Sequence, residues 1–140
     1  MKVRTEYLTF STSGHADIRD LTSEIEAVIA REDGPANGIV TVFVPGATGA
    51  VTTVEYESGL LSDLKDLFEA LIPRAHDYAH NDRWGDGNGH SHLRASLVGP
   101  SLTVPFVERK LTLGTWQQIV FIDFDVRARS RRLVLQIMGE

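Results

Sequence analysis

The strongest periodicity in the chain is helical. Leu60, Leu64, Leu67, Phe68 and Leu71 mark one face, while Ser62, Asp63, Lys65, Asp66 and Glu69 mark the other. This predicts an amphipathic helix capped by Ser58 and stopped by Pro73. A second helix is predicted after Thr22. Glu24 and Glu26 suit the positive end of its dipole, Ile25, Val28 and Ile29 form the apolar stripe, and Gly34-Pro35 ends it. The other patterned segments read as strands. Val3 to Ser11 is rich in Thr, Tyr and Phe, and Ala16 to Leu21 returns after the Ser13-Gly14 turn. Gly38 to Pro45 is almost wholly apolar, as expected of a buried central strand, and Ala50 to Tyr56 follows the tight Gly46–Gly49 connection. Further strands are predicted at His92 to Val98, Leu102 to Val107, Lys110 to Leu113, Trp116 to Asp125 and Arg131 to Met138. The run Trp116 to Phe124, apolar on both faces, belongs at the centre of a sheet. Two helices among roughly eight strands predict a single α+β domain over residues 1–140, built on an antiparallel sheet or barrel.

Composition narrows the possible functions. A chain of 140 residues can bury its own core without covalent staples. A formal charge of −5 argues against nonspecific nucleic-acid binding, although Arg127, Arg129, Arg131 and Arg132 make a local basic cluster. The absence of cysteine excludes disulfides, thiolate zinc sites and a cysteine nucleophile. The first residues lack the apolar core of a secretion signal, and no apolar run approaches the ~18 residues needed to span a bilayer. A cytoplasmic protein with neither nucleic-acid nor membrane partners is expected.

The candidate chemistry is concentrated between residues 76 and 92, which hold four of the five histidines. Composition predicts a structured surface loop here. His90 and His92, two apart, would share a face of an extended segment. His76 and His80, four apart, would share a face of a helical turn. The glycine-rich stretch from Asn81 to Gly89 could fold back so that His80 meets His90 and His92. That would make a three-histidine metal site with an open position, for which zinc is the natural ion. The residues alone leave this open against a solvated histidine loop. His76 is the weaker ligand candidate, and His15 reads as a surface residue.

Glu55, in the strand Val51 to Glu55, is a candidate base or a carboxylate partner for histidine; an exposed strand position explains it equally well. Thr115, Trp116 and Gln117, after Gly114, could line a pocket for a flat heterocycle, with a core role for Trp116 as the alternative. Asp125, Arg127 and Arg129 could pair with one another or hold a phosphate.

Taken in order, these blocks resemble a known family. They are Phe43-Val44-Pro45 with Thr48, Thr53-Val54-Glu55, Tyr78-Ala79-His80, Asn88 to Ala95, Gly99-Pro100-Ser101, Val104-Pro105, Leu113 to Gln117, and Asp125 with Arg127 and Arg129. The set closely resembles the YjbQ-like family of small bacterial and archaeal proteins, often described as secondary thiamine-phosphate synthases. The resemblance implies a barrel-like α+β fold, a homotrimer and a metal near the histidines. It also implies a weak activity joining hydroxymethylpyrimidine diphosphate to a thiazole phosphate with release of pyrophosphate.

On this reading His80, His90 and His92 hold the metal, and Glu55, His80 and His92 are the candidate catalytic residues. Arg94, Arg127 and Arg129 meet phosphate, and Thr115, Trp116 and Gln117 shape the pocket. Magnesium would enter with the diphosphate, with Asp82 or Asp86 as oxygen donors. The rival readings are a noncatalytic metal- or phosphometabolite-binding protein and a metal-assisted hydrolase. One departure stands out. Many members carry histidine where this chain has Gly46, and tend to have an acidic residue where it has His90. Either His90 replaces the ligand missing at Gly46, which is the expectation here, or this chain has lost part of the family's chemistry.

Overall fold

A computed structural model describes residues 1–140. In chain order the elements are β1 (Lys2–Thr12), β2 (Asp17–Asp20), α1 (Thr22–Ile29), β3 (Gly38–Phe43), β4 (Gly49–Val54), α2 (Ser58–Leu71), α3 (Ala79–Trp84), α4 (Gly89–Val98), β5 (Ser101–Val107), β6 (Lys110–Leu111), β7 (Gln118–Asp123) and β8 (Arg129–Gly139). They form a five-stranded sheet, β1-β8-β3-β5-β6, and a three-stranded sheet, β2-β7-β4. Every strand pair is antiparallel, so the expected α+β class is the one observed. No helix is long and apolar enough to cross a membrane.

The two faces of β7 explain its unbroken apolar run. Ile119 and Phe121 enter the larger core, shared with Val40 and Val42 of β3, Leu133 and Leu135 of β8, and Ile25 of α1. Val120 and Ile122 enter a second core, with Phe68 of α2 and Ala95 of α4. The three-stranded sheet thus lies between a helical layer and the five-stranded sheet. No element covers the other face of the five-stranded sheet, where Tyr7, Ile39, Phe43 and Val107 are exposed.

Several local expectations are corrected. The segment read as a strand from His92 to Val98 is the helix α4. Its buried positions are Gly89, His90, Ser91, Arg94 and Ala95, and of their side chains only that of Ala95 is apolar, so hydrophobic periodicity misses the helix. The expected histidine loop contains α3, and His76 lies outside that helix with its ring against Tyr78. Helix α2 is capped by Glu57 rather than Ser58: the Glu57 carboxylate accepts from the Gly59 and Leu60 amides. Thr22 is the first residue of α1, and its hydroxyl accepts from the Ile119 amide, tying α1 to β7.

Candidate functional site

Helix geometry decides which histidines meet. Residues two apart on a helix are about 200° apart around its axis, so His90 and His92 leave α4 on different sides. His92 turns toward α3, where its ring lies 4.4 Å from that of His80, tilted by 54°. His90 turns into the protein and is 2% exposed. Burial, reinforced by the guanidiniums of Arg94 and Arg74, holds His90 below the ordinary histidine value, so the ring is neutral at pH 7.

The start of α4 is pinned to α3. A Cβ on Gly89 would lie 2.7 Å from Tyr78 Cβ, so only glycine allows this approach. The Gly89 amide donates to Asn81 Oδ1 at 2.8 Å. Asn88 lies between Asp86 and His80. With its amide nitrogen turned toward them, it donates to Asp86 Oδ1 at 2.9 Å and to His80 Nε2 at 3.0 Å. Asp86 Oδ1 is 3.5 Å from His80 Nε2.

His92, Asp86 and Asn88 form one wall of a cavity of about 510 Å³. Its opposite walls come from the β3–β4 connection, with Gly46 and Thr48, and from the segment between β7 and β8. Arg127, Arg129 and Arg131 all line it. The floor is a buried network. Arg131 donates from Nε to Asp123 Oδ2 and from Nη2 to Asp123 Oδ1, both at 2.8 Å. The same Nη2 donates to Thr48 Oγ1 at 2.9 Å. The Thr48 hydroxyl donates to Asp125 Oδ2 at 3.1 Å, and Arg129 donates to the same oxygen. Arg127 enters none of these pairs. Arg131 Nη1 reaches toward Gly46, 3.5 Å from where a Cβ there would stand.

Burial pushes the Asp123 carboxyl up, but hydrogen bonds from Arg131, Thr12 and the Asp125 amide outweigh it and hold the group below the usual carboxylate range. Asp125 follows the same pattern, with burial opposed by the Val126 amide, Arg129 and Thr48. Both carboxyls have folded values below their unfolded ones. Their stabilisation is therefore present above an unfolded pKa of about 3.9 and is lost as pH falls through the folded values. Stability is expected to drop between about pH 5 and pH 2, and to drop less in Asp123→Asn. Urea midpoints measured across that range would check this, and equal drops in both proteins would overturn it.

The predicted site residues separate into three places. His80, His92, Arg127 and Arg129 gather at or beside the large cavity, joined by Arg131 and Thr48. Arg94 and His90 lie on the far side of α4. There Arg94 donates to Glu69 at 2.9 Å and, from Nε and Nη2, to the Ile72 carbonyl. Glu55, Thr115, Trp116 and Gln117 form a separate pocket of about 410 Å³. That pocket and the large cavity stand at opposite ends of β4, about 17 Å apart at the rise of an extended strand. Gln117 is engaged in holding its turn, accepting from the Gly114 amide and donating to Thr53. Trp116 is 71% exposed, so the core role does not apply.

No three histidine, aspartate or glutamate side chains are arranged to hold an ion. The cause is the helical α4, which turns His90 away from His80 and His92. Within one chain His80, His90 and His92 do not come together as a three-imidazole zinc site, and His90 does not face Gly46 as a replacement ligand. Arg131 was read from sequence only as part of a basic cluster. The signal for its role was its two-residue spacing from Arg129, which puts both on one face of β8.

Comparison with known proteins places this arrangement in a family. A family model described as UPF0047 protein YjbQ-like matches residues 6–140. A UPF0047 protein of Methanothermobacter thermautotrophicus is 39% identical over 140 residues, covering 100% of this chain and 95% of that one. UPF0047 protein YugU of Bacillus subtilis is 32% identical, covering 94% of this chain and 97% of that one. Among solved structures, a protein of unknown function from Sulfolobus solfataricus superposes with a TM-score of 0.87 at 28% identity, covering 99% of this chain and 100% of that one. A YjbQ/UPF0047 family protein from Clostridium acetobutylicum superposes with a TM-score of 0.85 at 30% identity, covering 95% and 99%. The chain whose arginine-lined cavity is described above belongs to the UPF0047, YjbQ-like family.

Proposed function

We propose that this protein binds a phosphorylated metabolite in the cavity between α4 and the β7–β8 segment. The observation that carries the reading is the convergence of Arg127, Arg129 and Arg131 with Thr48 and His92 on one cavity. Guanidinium groups match phosphate oxygens in charge and in geometry. Asp123 and Asp125 hold Arg131 and Arg129 in place, so little side-chain freedom is lost on binding.

The reaction proposed is the condensation implied by the family resemblance, in which the ring nitrogen of a thiazole phosphate bonds to the methylene carbon of hydroxymethylpyrimidine diphosphate as the C–O bond of that carbon breaks and pyrophosphate leaves. The arginines would neutralise charge developing on the departing pyrophosphate, and His92 is the group placed to exchange a proton with it. Magnesium would arrive with the diphosphate. A noncatalytic phosphometabolite-binding role is the second reading. It is favoured by the commitment of Asp123 and Asp125 to arginines and by the distance of Glu55, which leave the cavity without a spare base among those carboxylates.

A homotrimer acting in the cytoplasm is the proposed setting. Support for self-association comes from the uncovered sheet face. There Val3, Met138, Ile39 and Pro105 make one row, and Tyr7, Val134, Phe43 and Ser101 another. A polar row of Thr5, Gln136, Thr41 and Thr103 runs between them, and exposed apolar rows of this kind mark a contact surface.

Calorimetric titration with pyrophosphate tests the cavity. Arg127→Ala/Arg129→Ala is expected to weaken binding at least tenfold, about 1.4 kcal/mol, and unchanged affinity would overturn the reading. Incubation with the two thiamine precursors and Mg²⁺ tests the chemistry. Product from wild type and not from His92→Ala supports the synthase. Binding without product supports the noncatalytic role.

A further inference from the structure

The far side of α4 carries a second hollow, of about 220 Å³, to which the function above assigns nothing. Its walls bring together His15 from the β1–β2 turn, Lys65 and Glu69 from α2, Arg74 from the segment that follows, and His90 and Arg94 from α4. Three fixed cations and two imidazoles thus surround one carboxylate, in a chain whose net charge is −5. That carboxylate is already committed, since Glu69 accepts from Arg94 at 2.9 Å and from the Arg74 amide.

The remaining basic groups meet one another. Arg74 Nη1 lies 3.3 Å from His15 Nδ1. Arginine can only donate, so Nδ1 accepts and the His15 proton sits on Nε2. The β1–β2 turn supports this approach. His15 and Ala16 both have left-handed backbone, at φ 53° and 62°, which side chains with a Cβ adopt at a cost. Their amides are anchored to the carbonyls of Asp125 and Asp123. At the inner wall, the Nδ1 of the buried His90 has no protein partner. Glu69 offsets one of the three fixed cations, and the positive charge left over is costly to hold together unless a further anion completes it.

We propose that this hollow is a second anion site, which takes a single phosphate-type oxyanion against Lys65, Arg74 and Arg94. Its volume suits one phosphate or the phosphoryl end of a small ester, and is too small for the body of a nucleotide. The ligand would be held mainly by charge, with the His15 Nε2–H as a further donor.

Calorimetric titration with inorganic phosphate, repeated with glycerol 3-phosphate, tests this. The variants are Lys65→Gln/Arg74→Gln here and Arg127→Ala/Arg129→Ala in the large cavity. Lys65 and Arg74 are exposed, so their replacement leaves the core intact, which circular dichroism would verify. Wild type is expected to bind two equivalents. Arg127→Ala/Arg129→Ala should retain one, and adding Lys65→Gln/Arg74→Gln should weaken that one at least tenfold. Retention with the free ion marks phosphate itself as the ligand, and retention with the ester alone marks a phosphoryl terminus. Either result supports the site. If Arg127→Ala/Arg129→Ala abolishes all binding, or chloride at the same ionic strength gives the same heat, the proposal is overturned and the first cavity stands. If only Lys65→Gln/Arg74→Gln reduces binding, this site stands and the phosphate reading of the large cavity falls.

Discussion

Asp123→Ala is expected to destabilise the protein by about 3–5 kcal/mol, because it leaves a buried guanidinium without its counter-charge. Asp123 is fully buried, and Arg131 is only 8% exposed. Removing the carboxylate breaks both of its bonds to Arg131 and leaves the Thr12 hydroxyl only the more distant Arg129 carbonyl, at 3.4 Å. The Thr48 bond that remains carries no full charge. The double variant Asp123→Ala/Arg131→Met should recover part of the loss, since it removes the stranded charge as well. Urea denaturation of wild type, both single variants and the double variant measures this coupling. A cost for Asp123→Ala of less than about 1 kcal/mol would show that water reaches Arg131 freely and that the network is not a fixed floor. The variant should also weaken pyrophosphate binding, because Arg131 Nη1 is oriented toward the cavity through the atoms that Asp123 grips.

Phe121→Ala is expected to cost a similar amount, about 3–5 kcal/mol, by a different route. Phe121 is fully buried in β7 and makes an edge-to-face contact with Phe10 at 5.4 Å between ring centroids. The Arg131 guanidinium lies over the ring at 5.6 Å. On the other side Gly49 leaves room for the ring, since a Cβ there would lie 2.5 Å from Phe121 Cζ. The cavity opened by truncation therefore lies directly beneath the site. Its neighbours belong to paired strands and can collapse into it only partly. A lower urea midpoint at unchanged slope would establish the effect as a loss of folded-state stability. A cost under about 1 kcal/mol would mean that the layer repacks. Phe121 links fold to function, because the ring that fills the core also supports Arg131.

Most of the architecture was legible in the chain. Alternation in β1 and β8, and the two-sided apolar run of β7, follow from how strands expose their faces. The histidine segment was the hardest to read, because its buried face uses His90, Ser91 and Arg94 in place of hydrophobes. Arg94 pairs with Glu69, 25 residues away, and with the Ile72 carbonyl, contacts that no local pattern announces. The blocks that carry the resemblance led to the family that matches the chain. It could not say that the Leu113–Gln117 block and the histidines occupy different ends of β4 within one chain.

By itself the sequence determined the class of fold, the central place of β7 and the family, because these depend on the order of apolar and polar residues and on residue identity. Tertiary structure alone decided which charged groups share a site. A helical α4 sends His90 and His92 to different cavities, so the expected histidine trio divides between them. Arg131 becomes the floor of a cavity because β8 returns beside β1 and β3, carrying it to Asp123 and Thr48. Each of these outcomes depends on the direction in which a side chain leaves its backbone, and that direction is set by elements distant in the chain.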